Sequence, residues 1–535
     1  MSLTAACVPE VFSPIVFGSE ILTLQASPVT NYSARVPSAY RFTQPSISVE
    51  NATFCNITVT YTHPGQNDTI NVEAWLPVDN WNGRFQAVGG GGWVAGRFFL
   101  SYSAMAGAMG DGYATITTDA GLGNATDPSP WALLSPGNVD LYKLQDLASV
   151  SLNDEAIIGK SLIQSFYGKP PSYSYWNGCS QGGRQGLMLA QRYPTAYDGI
   201  AAGAPAIYWS ELVFTTFWTQ QYMAMINEYP YGCEIDAITA AAIAKCDGFD
   251  GVVDGIVADV EECAANFDPF DLIGKVIDCA QTNTTMQISA AAAKVANATW
   301  EGIVSTTGRR LWHGLNLDAD LTGDSSSSFN PTGLAATKCS NGTCVPVANN
   351  LGSLWLQLFV EKQPDFDLSN ISHQKFVDML HDSKQQYDSI TATSDPDLST
   401  FKRAGGKLLT FHGLADNIIT PKSTEQYYRE VSERFLDVRD FYRHYPVPGL
   451  GHCFGGTGGQ PLSLFDQLRA WVENGTAPES SPMSFPGPNG KVQQRILCPL
   501  PQKAKYDSGC RDPAKVECWS CIAPRNEDSS PVTEL

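Results

Sequence analysis

The pentapeptide Gly178-Cys179-Ser180-Gln181-Gly182 has the spacing of a serine nucleophile set on a sharp turn. A short apolar run, Tyr173 to Trp176, precedes it; a helical stretch, Arg184 to Arg192, follows and stops before Pro194. A strand-to-helix turn of this kind strains the serine backbone, and small flanking residues let the chain pass. The hydroxyl then stands at the carboxyl edge of a sheet. There the backbone N–H of Gln181 and the positive end of the helix face a developing oxyanion. The chemistry this points to is acyl transfer, which needs a general base and an acid to orient it.

Of the seven histidines, His452 lies in a glycine-flanked turn, Gly449-Leu450-Gly451-His452-Cys453. Asp416 lies in His412-Gly413-Leu414-Ala415-Asp416-Asn417, directly after another apolar run. Ser180, Asp416, His452 is the chain order expected of a triad on an α/β-hydrolase sheet. His412 is read as a neighbour packed at the strand end, and Asp111 as a turn residue. If Ser180 and His452 meet, the adjacent Cys179 and Cys453 must also be close, so the triad itself predicts a disulfide between them.

The elements that must position these groups are legible as short apolar runs. Arg84 to Val88, Ala114 to Thr118, Tyr173 to Trp176, Gly199 to Ala202, Lys407 to His412 and Asp440 to Tyr445 read as strands. Leu141 to Tyr167, Thr424 to Phe435 and Leu462 to Asn474 read as helices, so strand–helix–strand crossovers of a parallel sheet recur. The alternation stops between Ala206 and Thr400. The expected fold class is therefore an α/β-hydrolase core with a mostly parallel sheet, formed by residues 1–205 and 401–535. Residues 206–400 form a large inserted lid domain.

Composition narrows the setting. Hydrophobic residues make up 43% and charged residues 16%, with a net charge of −20. That is ample material for a core, and no basic surface to track nucleic acid or an anionic membrane. No apolar run has the length of a membrane span. Fourteen cysteines and ten N-x-S/T sequons, at Asn31, Asn51, Asn56, Asn67, Asn124, Asn283, Asn297, Asn341, Asn370 and Asn474, point to a secreted, extracellular glycoprotein. Met1 to Pro14 lacks the basic start and apolar middle of a signal peptide, so the expectation is a secretory chain whose signal is absent from this sequence. Cys7 with Cys55, Cys339 with Cys344, and Cys246 with Cys263 are sensible local pairs. The last four cysteines would pair among themselves, leaving Cys233 with Cys279, although spacing alone leaves the connectivity open. Oligomeric state is not legible.

Within the lid, Cys246-Asp247-Gly248-Phe249-Asp250-Gly251-Val252-Val253-Asp254-Gly255-Ile256 places three aspartates in eight positions, each followed closely by glycine. Close carboxylates repel unless a cation compensates, and hard oxygen donors select Ca²⁺ over zinc. The expected role is structural. No organic cofactor is expected. Phe214, Trp218, Trp355 and Phe359 fall at helical spacing in the lid; a phenolic ring could stack against them, but lid core is the favoured reading.

Cys179-Ser180, Asp416 and His452-Cys453 resemble the cysteine–serine, aspartate and histidine–cysteine motif of the fungal tannase and feruloyl esterase family. The resemblance runs from Gly89-Gly90-Gly91-Gly92-Trp93 to the helix ending at Asn474. It implies a secreted serine esterase with a lidded α/β-hydrolase core, acting on phenolic-acid esters of plant polysaccharide. It places the Gly89 to Trp93 run as a glycine-rich oxyanion loop, with Gly90 or Gly91, here Gly91, offering a second N–H. It also implies a calcium held by Asp247, Asp250 and Asp254 with the carbonyls of Val252 and Ile256. The loop Gly413 to Ile419 resembles the feruloyl branch more than the tannase branch. The expected activity is thus hydrolysis of hydroxycinnamoyl esters through an acyl-enzyme. A galloyl-ester hydrolase is the alternative, and a non-catalytic calcium-stabilised binding module the rival of another class.

Overall fold

The computed structural model describes residues 6–323, 333–347, 349–487 and 490–523. A nine-stranded sheet runs through it. In chain order its strands are β1 Glu20–Val36, β2 Ile47–Thr62, β3 Ile70–Pro77, β4 Arg84–Val88, β5 Ala114–Thr118, β6 Tyr173–Cys179, β7 Gly199–Gly203, β8 Lys407–Gly413 and β9 Tyr442–Val447. Their spatial order is β1-β2-β3-β5-β4-β6-β7-β8-β9. The pairs from β5 to β9 are parallel, and β1, β2, β3 and β5 pair antiparallel. The architecture matches the α/β-hydrolase expectation.

The parallel strands are apolar on both faces because helices cover both. Trp176, Ile200, Ala202 and Leu408 join one buried cluster with residues of α2 Ser151–Tyr167 and α3 Gln181–Arg192. Their chain neighbours Tyr175, Ala201 and Leu409 point the other way, into a cluster containing Leu464, Phe465, Leu468 and Trp471 of a C-terminal helix, Leu464–Asn474. Each large apolar side chain so buried contributes about 1.5–3 kcal/mol against exposure. Helix α1, Phe99–Gly110, packs on the antiparallel side.

The three antiparallel strands at the amino end are a correction to the sequence reading, which assigned no strands there. In β1 only Val36 is fully buried and apolar residues do not run together, so a half-solvated edge strand leaves little periodic signal. The chain leaves the sheet after Gly203 and rejoins it at Lys407. The interval between carries α4 Trp209–Ile226, α5 Gly232–Cys246, α6 Ala290–Glu301 and α7 His373–Tyr387. After it come α8 Pro421–Arg434, the helix Leu464–Asn474, here α9, and an antiparallel hairpin of β10 Ser481–Pro486 with β11 Val492–Leu497.

All fourteen cysteines are paired: 7–55, 179–453, 233–279, 246–263, 339–344, 498–521 and 510–518. Of the sequon asparagines, Asn56 and Asn297 are half-buried and the rest are exposed. The Asn56 side-chain oxygen is enclosed and has no hydrogen-bond partner. No helix among the described residues is long and apolar enough to cross a membrane.

Candidate active site

Ser180 sits between β6 and α3 with φ 61° and ψ −122°, a conformation that side-chain-bearing residues rarely adopt. Its neighbours explain how the chain tolerates this. A Cβ on Gly178 would lie 2.6 Å from the backbone of Gly182, so bulk at Gly178 would break the turn. The Ser180 N–H donates to the Gly203 carbonyl (3.0 Å), and its own carbonyl accepts from Ala206 (3.1 Å), fixing the elbow to the end of β7.

Asp416, in the loop after β8, is fully buried. Its Oδ1 accepts from the N–H groups of Ile418 and Ile419, both at 2.9 Å. Its Oδ2 faces His452 Nδ1 at 2.8 Å and His412 Nε2 at 3.1 Å. Burial alone would raise this carboxyl. The charge of His452 and the hydrogen bonds from the two imidazoles prevail and hold it well below the usual carboxylate range. His412 also faces the Ile419 carbonyl through Nε2 (3.1 Å) and Thr424 Oγ1 through Nδ1 (2.7 Å). A carbonyl cannot donate, so Nε2 carries the proton and also donates to Asp416. His412 therefore braces the aspartate from inside the strand.

The 179–453 disulfide ties the serine turn to the histidine turn. Ser180 and His452 open onto one cavity of about 980 Å³. Its apolar lining includes Phe42, Phe98, Phe99, Leu100, Leu321 and Ile418. The interval between β7 and β8 contributes the carboxylates Asp236, Asp318 and Asp320 with Thr322, and Thr126, Asn417 and Thr457 add polar groups from outside it. Burial pushes the Asp318 carboxyl up to about 7, and its Oδ1 has no protein partner.

Four aromatic substrate candidates are corrected. Phe214, Trp218, Trp355 and Phe359 are buried and line none of this cavity. Phe214 and Trp218 pack against Phe376, and Trp355 stacks on Phe359 with ring centroids 4.6 Å apart. Helical spacing marked a core face, as apolar periodicity usually does.

The oxyanion expectation needs one change. Gln181 is the first residue of α3 and sits beside Ser180 in a smaller pocket. The N–H of Gly91 is not available, because it donates to the Val94 carbonyl at 3.0 Å within a tight turn. Gly90 donates to Gln185 Oε1 at 2.9 Å. Gly92 lines both pockets with Ser180 and has φ 57°. Behind the turn lies the fully buried Arg184, whose Nε donates to Gln181 Oε1 (2.7 Å) while its other nitrogens donate to the carbonyls of Leu147 and Ala148, both at 2.9 Å.

In the aspartate–glycine segment, Asp247 Oδ1 accepts from the N–H groups of Asp254, Gly255 and Ile256 at 3.0, 3.0 and 3.3 Å. Sequence reasoning missed Arg495 of β11. It donates to Asp250 Oδ2 (2.6 Å) and twice to Asp254 Oδ2 (2.8 and 2.5 Å), with its guanidinium over Trp519. One guanidinium against three carboxylates leaves a double negative charge, and Asp254 Oδ1 is buried without a partner. Arg495 is thus the cation that Asp250 and Asp254 face in this structure. Ile256, at the segment's end, joins the buried cluster that holds Cys179, Leu450 and Cys453.

Comparison with known proteins supplies the remaining findings. Residues 55–522 match the family model described as tannase and feruloyl esterase. The chain is 39% identical over 517 residues to a probable feruloyl esterase of Arthroderma benhamiae, covering 94% of this chain and 92% of that one. It is 30% identical to a mono(2-hydroxyethyl) terephthalate hydrolase of Piscinibacter sakaiensis, covering 83% and 80% respectively. Among solved structures, a tannin acyl hydrolase from Aspergillus niger superposes with a TM-score of 0.86 at 27% identity, over 98% of this chain and 96% of that one.

Proposed function

We propose for this chain, a carboxylic ester hydrolase that belongs to the tannase and feruloyl esterase family, the extracellular cleavage of hydroxycinnamoyl esters of plant cell-wall polysaccharide. The observation that carries the chemistry is the fully buried Asp416 held 2.8 Å from His452, with His452 disulfide-tethered to the Ser180 elbow in one cavity. Ser180 Oγ attacks the ester carbonyl as His452 takes its proton, and Asp416 fixes the imidazole and balances the imidazolium. The carbonyl oxygen turns toward the N–H groups of Gln181 and Gly92, the donors not consumed by the turn. The alcohol leaves first, protonated by His452. Water, activated by the same imidazole, then releases the acid.

The substrate reading rests on the cavity and the relatives. Phenylalanines in the lining suit a flat aromatic acid, and about 980 Å³ exceeds what a single phenolic ring fills. The excess volume suits a sugar on the alcohol side. A galloyl ester is the second reading, favoured by the close superposition on a tannin acyl hydrolase. A calcium ion bound by Asp247, Asp250 and Asp254 with the carbonyls of Val252 and Ile256 would supply the missing positive charge. It would stiffen the segment whose Ile256 packs beneath the histidine turn. Methyl ferulate, caffeate, coumarate and sinapate assayed beside methyl gallate test the assignment. A higher kcat/KM on any hydroxycinnamate than on gallate is expected; preference for gallate overturns it.

A further inference from the structure

A second group of ligand-type side chains lies apart from the catalytic cavity. His63 follows β2, Asp68 lies in the turn before β3, and Asp146 lies in a π-helical turn, Asp146–Val150, immediately before α2. One donor atom from each lies within 4.8 Å of the other two. Asp68 Oδ1 is already committed, accepting from the His63 N–H and from Thr62 Oγ1, both at 2.7 Å. Asp68 Oδ2 faces His63 Nδ1 at 2.6 Å. The opposite ring nitrogen, Nε2, faces Asp154 Oδ2 at 3.1 Å, and Tyr61 donates to that same oxygen at 3.0 Å. Asp146 is fully buried, and neither of its oxygens has a partner.

A buried carboxylate left wholly unpartnered costs several kcal/mol, so an occupant is needed that the protein does not itself supply. Three aspartates, Asp68, Asp146 and Asp154, crowd one imidazole, which can carry at most one compensating charge. We propose that His63 Nδ1, Asp68 Oδ2 and Asp146 bind a divalent metal ion of the zinc class. One imidazole with carboxylate oxygens is a donor set that zinc accepts. Asp154 receives the other ring N–H, which fixes the tautomer and raises the basicity of the ligating nitrogen. The competing occupant is a proton: without a metal, burial and the charges of Asp68, Asp154 and Asp140 push the Asp146 carboxyl up to about 8. The position gives the ion a task. The turn that carries Asp146 also presents the Leu147 and Ala148 carbonyls to Arg184, which braces Gln181 at the nucleophile.

The test uses the full-length protein, stripped with dipicolinate and dialysed against Zn²⁺, with bound metal measured by mass spectrometry of the element. Wild type is expected to retain one equivalent. Asp146→Asn and His63→Gln should lose it, and Asp154→Asn should weaken it about 10–100-fold. Asp254→Asn, in the separate aspartate–glycine segment, should retain it. Co²⁺ in place of zinc should give visible absorption bands in wild type that vanish in His63→Gln. Asp146→Asn relieves charge crowding and should fold without metal, as checked by circular dichroism; His63→Gln is the second probe if it does not. Zinc retention unchanged in both variants, or no retained equivalent in wild type, overturns the site and leaves the proton as occupant.

Discussion

Replacing Cys179 and Cys453 together by alanine removes the one bond joining the nucleophile turn to the base turn. The two cysteines are 274 residues apart. Treated as a constraint on the unfolded chain, a closure of that length is worth about 5.6 kcal/mol, whereas Cys339–Cys344, with a separation of 5, is worth about 2 kcal/mol. The paired variant Cys339→Ala/Cys344→Ala is therefore an internal control, predicted to be about 3.5 kcal/mol more stable than the first. Activity should separate the two further. Cys453 holds a left-handed backbone conformation, φ 65°, beside His452. Without its tether that turn can relax, and a displacement of about 1 Å at the base costs roughly 100-fold in rate. Urea unfolding followed by tryptophan fluorescence gives the stabilities, and methyl ferulate hydrolysis gives kcat and KM. The expected result is kcat reduced about 10–100-fold in the first variant and unchanged in the second. Equal stability losses, or an unchanged kcat in Cys179→Ala/Cys453→Ala, would refute the tether argument.

Four further outcomes follow from the geometry. Asp416→Asn should lower kcat about 10⁴-fold while the protein stays folded, because an amide favours the wrong tautomer of His452. The folded Asp416 carboxyl lies below its unfolded value of about 3.9, so its stabilising contribution is complete above that pH and is lost only as pH falls through the folded value. Urea midpoints should therefore show no Asp416-dependent change between pH 5 and 8. Arg495→Met should destabilise the protein by about 3–5 kcal/mol in chelator, since Asp250 and Asp254 lose their buried partner, with partial recovery when Ca²⁺ is added. Asp318, raised to about 7 in the cavity wall, gains its charge as pH rises through that value and then accepts a phenol hydrogen more strongly. KM for methyl ferulate should fall from pH 6 to 8 in wild type, and Asp318→Asn should flatten that profile.

The central strands, and the meeting of Ser180, Asp416 and His452 at one cavity edge, could be read from sequence because their signals are local. Buried parallel strands such as β7 and β8 are unbroken apolar runs, and Ser180 is flanked within five residues by the glycines its turn requires. What eluded sequence reasoning depends on contacts between distant segments. Arg495 reaches Asp250 across 245 residues, and no spacing rule links a hairpin arginine to an aspartate turn. Gly91 could not be told from Gly92, because the distinction lies in which N–H the Val94 carbonyl consumes. The cavity wall draws single residues from several loops and helices, so it has no period. The periodic aromatics Phe214 and Trp218 belong to the core for the same reason that they are periodic. Asp146 was hidden among Leu144, Leu147 and Ala148, inside a run that reads as an ordinary apolar helix face.

The central claim is that Ser180 forms an ester with the substrate's acid. Its most direct test is Ser180→Ala assayed on methyl ferulate, with intact-mass measurement of wild type quenched during turnover. The account predicts a loss of about 10⁴–10⁶-fold in kcat, with the fold retained. It also predicts a feruloyl-sized mass increment on the wild-type chain that is absent from the variant. A Ser180→Ala protein that hydrolyses methyl ferulate within tenfold of wild type, or an increment that persists in it, would contradict the account.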